Sequence, residues 1–149
     1  MKLGDYLDKD LILSDMASAD KAGALGELVV PLQERFPEMD SDLVLRVLKE
    51  REELGTTGIG DGVAIPHGKL DSLDQIAVVA GRSRDGLDFE ALDFKPCHIF
   101  FLVLAPEQVA GMHLRILAHI SRLLKDDSFR KAFMEAEGQD ELWKLLKSA

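Results

Sequence analysis

His67 carries the clearest chemical framing in this 149-residue chain. It stands between Pro66 and Gly68, at the end of a stretch that holds Gly55, Gly58, Gly60 and Gly62. Glycine adopts backbone angles closed to other residues. Proline fixes its own φ and drives the residue before it, Ile65, into an extended conformation. The imidazole is thereby delivered at a defined angle, beside a neighbour too small to cover it. A buried structural histidine needs no such framing. Imidazole is a nucleophile when neutral, and about three-quarters of an unperturbed histidine is neutral at pH 7. A hydrogen bond on one ring nitrogen, often to a backbone carbonyl, aims the other.

Two further side chains fit the same chemistry. Arg51 falls within the apolar face of the helix that ends just before the glycine stretch. Its permanently charged fork suits the equatorial oxygens of a phosphoryl group in transfer. His113 lies in the first turn of a later helix, where free N–H groups and the helix dipole attract anions. Together His67, Arg51 and His113 suit one job, taking up a phosphoryl group and handing it on. Phosphohistidine is labile, which marks a carrier rather than a store. Plainer roles compete: Arg51 snorkelling to water, and His113 as a satisfied core histidine. His119, on the other side of the same helix with Arg115 and Arg122, is expected to be a solvated surface residue.

Other chemistries fail on named residues. A dinucleotide-binding fingerprint through Gly58 and Gly60 needs a third glycine at position 63, which is Val63. A P-loop ending at Gly68-Lys69 needs that same glycine, and Ser or Thr where Leu70 stands. The four histidines show no paired metal spacing. No metal or cofactor is expected. There is no G-x-S-x-G elbow. Cys97, after Pro96 on the approach to a strand, reads as a core residue.

Strands and helices must hold these groups in place. Asp10 to Ser14 reads as an opening strand. Asp20 caps a helix with Leu25, Leu28, Val29, Leu32 and Phe36 at helical spacing, kinked or ended by Pro31. Asp40 or Ser41 caps a second, running to about Glu53, with Leu43, Val44, Val47, Leu48 and Leu54 on one face. Gly55 ends it. The glycine stretch follows as a loop. Gln75 to Arg82 reads as a strand buried on both faces, and Arg84 to Leu87 as a turn. Leu87 to Pro96 is an irregular connection, and His98 to Leu104 a second buried strand. A third helix spans about Gly111 to Leu124, its apolar face formed by Leu114, Ile116, Leu117, Ile120, Leu123 and Leu124 around His113. Asp126 or Asp127 caps a helix reaching to about Glu135, and a last helix from Gln139 to Lys147 closes the chain. Strands interleaved with helices make an α/β domain. The residues leave parallel and mixed pairing open.

Composition narrows the partners. With 18 basic against 27 acidic side chains and a net charge of −9, nucleic acid is excluded, since phosphate backbones demand a basic face. An acidic surface suits a protein with a basic docking face. The single cysteine forbids an intrachain disulfide and fits a reducing, cytoplasmic setting. The start, Met1 to Tyr6, has no apolar targeting core and reads as mature sequence. The longest apolar run, Ile99 to Ala105, is too short to span a bilayer. Residues 1–149 are expected to form a single domain.

The stretch from Gly55 to Leu70, with Ile-Pro-His-Gly at 65–68, resembles the active-site signature of the fructose/mannitol-type IIA domain of the bacterial phosphoenolpyruvate-dependent phosphotransferase system. Ala105-Pro-Glu followed by His113 to Leu124 resembles that family's second characteristic segment, and Arg51-Glu52 its site arginine. The resemblance runs from about residue 10 to 147. It implies that His67 is phosphorylated, that His113 is the second active-site histidine and that Arg51 is the site arginine. It also implies a mixed β-sheet flanked by helices on both sides, and a histidine-phosphorylated carrier protein as donor. The chain is most similar to the free-standing nitrogen-regulatory branch, which acts through its phosphorylation state on target proteins. A sugar-specific IIA passing the group to a IIB partner is the alternative, and a non-catalytic binding module the third. Asp61 departs from the Asn common in that branch, and an extra carboxylate near a phosphate would raise its free energy unless it instead meets a basic residue of the donor. Cys97 stands where the family is usually apolar.

Overall fold

The computed structural model describes residues 1–149. In chain order it comprises β1 (Ile12–Leu13), α1 (Lys21–Arg35), α2 (Ser41–Glu53), β2 (Gly58–Gly60), β3 (Val63–Ala64) and β4 (His67–Lys69). β5 (Ala77–Leu87), β6 (Cys97–Ala105), α3 (Ala110–Lys125), α4 (Asp127–Glu135) and α5 (Gly138–Leu146) follow. The six strands form one sheet in the order β1-β5-β6-β3-β2, with β4 also on β6. β1 is parallel to β5, β5 antiparallel to β6, and both β3 and β4 parallel to β6. The sheet is mixed, as the family resemblance implied.

The two uninterrupted apolar runs became the two central strands, because only a strand covered on both faces can be apolar at every position. Val78 to Ala80 and Phe100 to Val103 are completely shielded from water. Opposite faces of β5 meet opposite helix layers. Gly81 is packed so closely under Met16 and Leu28 of α1 that a Cβ there would lie 2.6 Å from the Met16 sulfur. Its neighbour Arg82 points the other way and donates to the carbonyls of Phe133 (2.9 Å) and Ala136 (2.6 Å), closing the end of α4. Cys97 is buried, and desolvation pushes its thiol up to about 11.

Several expectations need correction, and the alternative left open at Pro31 is narrowed. β5 does not stop at a turn over Arg84–Leu87. It continues to Leu87, absorbing the sequence's turn signal as a bulge between Arg82 and Leu87, with Gly86 at φ +83°. Of the two fates left open for α1 at Pro31, ending there is excluded: the helix runs on to Arg35. Leu54 and Leu114, assigned to apolar helix faces by periodicity, are 85% and 69% exposed, because both stand at an open cleft between α2 and α3 rather than in the core. His119 is half-buried rather than solvated, and its Nε2 is shielded from water without a partner; α4, packed on α3, narrows the solvent-facing side of that helix.

Candidate functional site

The glycine stretch is folded into the sheet rather than left as a loop. β2 and β3 form a hairpin in which Gly60 pairs with Val63, leaving Asp61 and Gly62 as a two-residue turn. Both have positive φ, +56° and +76°, the pattern of a type I′ turn, for which Asp-Gly is among the favoured pairs. The turn abuts His98, at the start of β6, whereas His67 pairs with Val103. Five residues of strand at about 3.3 Å each put Asp61 roughly 17 Å from His67. The carboxylate expected to burden a phosphate is therefore a turn residue at the other end of the strand.

β3 and β4 run along the same edge of β6 in one register, and Pro66 interrupts them. Lacking an N–H, Pro66 cannot donate to the ladder, although its carbonyl still accepts from Val103 N. Ile65 turns its N–H to the Thr57 carbonyl. Its own carbonyl is left for the His67 ring, with Nδ1 at 2.9 Å. A carbonyl only accepts, so Nδ1 carries the proton and Nε2 the lone pair. Gly68 plays a different part from the one expected. Rather than merely leaving His67 uncovered, it lets β4 press on α2: a Cβ at 68 would lie 2.7 Å from Val47 Cγ1.

His67 faces α3, where the His113 ring stands edge-on at 5.7 Å between centroids, with 76° between planes. His113 is buried, and its Nε2 has no hydrogen-bond partner. Arg51 approaches from the last turn of α2, half-buried, and donates from Nη1 to the Gly55 carbonyl at 2.9 Å. His67, His113, Arg51 and Lys69 line one cleft of about 750 Å³, floored by Val47 and Leu117 and rimmed by Leu54, Leu114, Glu50 and Glu53. Ala110, the first residue of α3, also lines it, and no side chain caps that helix. The three residues read from the sequence thus converge. Burial lowers the proton affinity of His67 below the ordinary value, and the Arg51 charge lowers it further, against the Ile65 hydrogen bond and the Glu52 charge. Burial does the same to His113, helped by His67 and Lys69. Both imidazoles are held neutral to lower pH than a free histidine.

Residues 5–149 match the family described as the phosphoenolpyruvate-dependent sugar phosphotransferase system, EIIA 2. The chain belongs to this family. It is 37% identical over 146 residues to a nitrogen regulatory protein of Bradyrhizobium diazoefficiens, covering 98% of this chain and 95% of that one. It is 36% identical over 146 residues to the fructose-specific EIIABC component of Bacillus subtilis, of which it spans only 23%. The crystal structure of the nitrogen regulatory protein IIA-Ntr of Neisseria meningitidis superposes with a TM-score of 0.89 at 32% identity, covering 97% of this chain and 98% of that one. The cryptic mannitol-specific IIA of Escherichia coli shares the fold, with a TM-score of 0.79 at 19% identity over 99% of both chains.

Two residues were missed in the sequence, Lys69 in this EIIA 2 cleft and Glu52 buried behind it. Lys69 projects beside the histidines from β4. Glu52 is almost fully buried, its carboxylate accepting from Thr57 N at 3.0 Å and from the Thr57 hydroxyl, with Lys21 Nζ at 3.0 Å. A signal for Glu52 existed: it continues the Val44–Leu48 stripe at i+4 and i+8.

Proposed function

We propose that this chain is a phosphoryl carrier that accepts its group on Nε2 of His67 from a histidine-phosphorylated carrier protein. The observation that carries this reading is the Nδ1–Ile65 hydrogen bond, which leaves Nε2 as the ring's lone-pair nitrogen in the cleft. Nε2 attacks phosphorus, a new N–P bond forms, and the donor's N–P bond breaks with its electron pair returning to the donor imidazole. Transfer of this kind needs alignment and stabilisation of the equatorial oxygens more than covalent chemistry. Arg51 and Lys69 supply charge, His113 an Nε2 free to donate as N–H, and the start of α3, which no side chain caps, the positive end of its dipole. The apolar and acidic rim of Leu54, Leu114, Glu50 and Glu53 suits a donor protein with a mixed apolar and basic face.

The nitrogen-regulatory reading, acting through phosphorylation state on target proteins, is supported by the match at a TM-score of 0.89 and 32% identity to IIA-Ntr. Handing the group to a IIB partner is the second reading, favoured by the 36% identity to the fructose-specific EIIABC component. One solved relative with this fold is a complex of mannitol IIA with phosphorylated IIB, at 20% identity. No helix is long and apolar enough to cross a membrane, and residues 1–149 acting as one cytoplasmic unit fits both readings. A phosphorelay from phosphoenolpyruvate through the system's first enzyme and carrier protein, chased with a fructose-type IIB, separates them. Labelled chain that is not discharged by IIB supports regulation; rapid discharge supports sugar transfer; His67→Ala should take no label in either case.

A further inference from the structure

His67 is aimed by a bond that must itself be held, and a line of hydrogen bonds leads from that bond to a buried ion pair. Ile65, whose carbonyl accepts from Nδ1, donates its own N–H to the Thr57 carbonyl at 3.0 Å. Thr57 is 4% exposed and is held at two points by one carboxylate, Glu52. Glu52 is fixed in turn by Lys21 Nζ at 3.0 Å. That ammonium also donates to Thr56 Oγ1 at 3.2 Å and lies 4.9 Å from the centroid of the Phe89 ring. The carboxylate oxygens thus have three donors, and the line from them to the His67 ring runs through the backbone of Thr57 and Ile65, both buried.

From this we infer that Glu52 is the positioning residue for His67: through Thr57 and Ile65 it holds the imidazole in the Nδ1–H tautomer with Nε2 facing the cleft. A buried carboxylate is costly unless its hydrogen bonds are complete, so Thr57 is tied to α2 more firmly than packing alone would tie it. Arg51, the preceding residue, holds Gly55 by its carbonyl. The last turn of α2 therefore grips the chain at Gly55 and Thr57 and sets both the cation and the nucleophile of the site. In metal sites, the outer partner that orients a histidine carries about 10- to 100-fold of its function, and Glu52 acts on His67 at two removes in the same way.

The inference concerns the site proposed above, and its first readout needs no phosphoryl transfer. Imidazole ¹⁵N NMR of the unphosphorylated protein reports the tautomer of His67 directly. Wild type is expected to show Nδ1–H alone. Glu52→Ala should mix the two tautomers and slow labelling by roughly tenfold to a hundredfold. Glu52→Gln, whose amide oxygen still accepts from Thr57 N, should restore most of both. Thr57→Val keeps the shape, loses the hydroxyl and should shift the tautomer in the same direction, which covers the case where Glu52→Ala does not fold. A folded Glu52→Ala or Thr57→Val protein with the wild-type tautomer and labelling rate overturns the inference. So does a loss that Glu52→Gln fails to restore. A tautomer that responds as expected in a protein that takes no phosphoryl group at all supports the positioning and contradicts the carrier function.

Discussion

At the scale of single residues, two neighbouring imidazoles are asked to do different work. His67 keeps a hydrogen bond on Nδ1, whereas His113 is buried with an Nε2 that meets nothing. A buried polar nitrogen without a partner is costly, and a phosphoryl oxygen would satisfy it. His113→Ala should therefore still accept the group, because the nucleophile is intact, but pass it on about a hundredfold more slowly, the loss typical of one donor to developing charge. Onward transfer equal to wild type would make His113 a core residue only.

The lowered proton affinities also set the sign of a stability change. Both folded imidazoles bind a proton less readily than the unfolded chain, whose histidines titrate near 6.5. Above that pH neither state is charged and the full stability is present. As pH falls through it, the unfolded chain takes up protons first and stability drops, levelling once the folded rings protonate as well. Urea midpoints between pH 7.5 and 5.5 should fall in wild type and fall less in a His67→Ala, His113→Ala double variant. Equal falls would show that these two rings do not carry the effect.

At the scale of elements, the site depends on how closely β4 and α2 approach. Gly68→Ala puts a methyl group 2.7 Å from a carbon of Val47, a β-branched side chain with little rotamer freedom. The strand and helix must separate, at about 1–3 kcal/mol, and His67 moves with the strand. Lower thermal stability together with slower labelling is expected. Slower labelling without destabilisation would place the effect in the cleft rather than in the packing. Elements are also where sequence patterns stopped being legible. The apolar runs declared β5 and β6, Asp20 declared one helix start, and the pair Asp40 and Ser41 another, with Asp40 the cap in the structure. The Pro66–His67–Gly68 framing singled out the residue proposed as nucleophile. What periodicity could not carry was tertiary: that β5 would rejoin β6 at Leu87 after a bulge, and that Asp61 would be a hairpin turn far along the sheet from the site. Glu52 continued an apolar stripe while being an acid, so only its partners, brought from positions 21 and 57, explain its burial.

At the scale of the whole molecule, one polar side chain ties the end of α4 and the segment after β1 to the sheet from inside. Arg82 is completely buried and closes the carbonyls of Ser14, Phe133 and Ala136. Arg82→Leu leaves those oxygens unpaired at about 1–3 kcal/mol each, so a loss of roughly 3 kcal/mol or more is expected in urea unfolding. Arg82 pairs with Ile99, well down β6 from Val103, so the labelling of the folded fraction should be unchanged. Labelling that falls in proportion beyond the unfolded fraction would mean that the sheet transmits strain to the cleft.

The central claim is that one nitrogen of His67 takes a phosphoryl group from a protein donor. Intact mass after incubation with phosphoenolpyruvate, the system's first enzyme and its carrier protein tests it most directly. Wild type should gain the mass of a single phosphoryl group and lose it on brief acid treatment, while a folded His67→Ala protein gains nothing. No gain on wild type, or the same acid-labile gain on His67→Ala, would contradict the account.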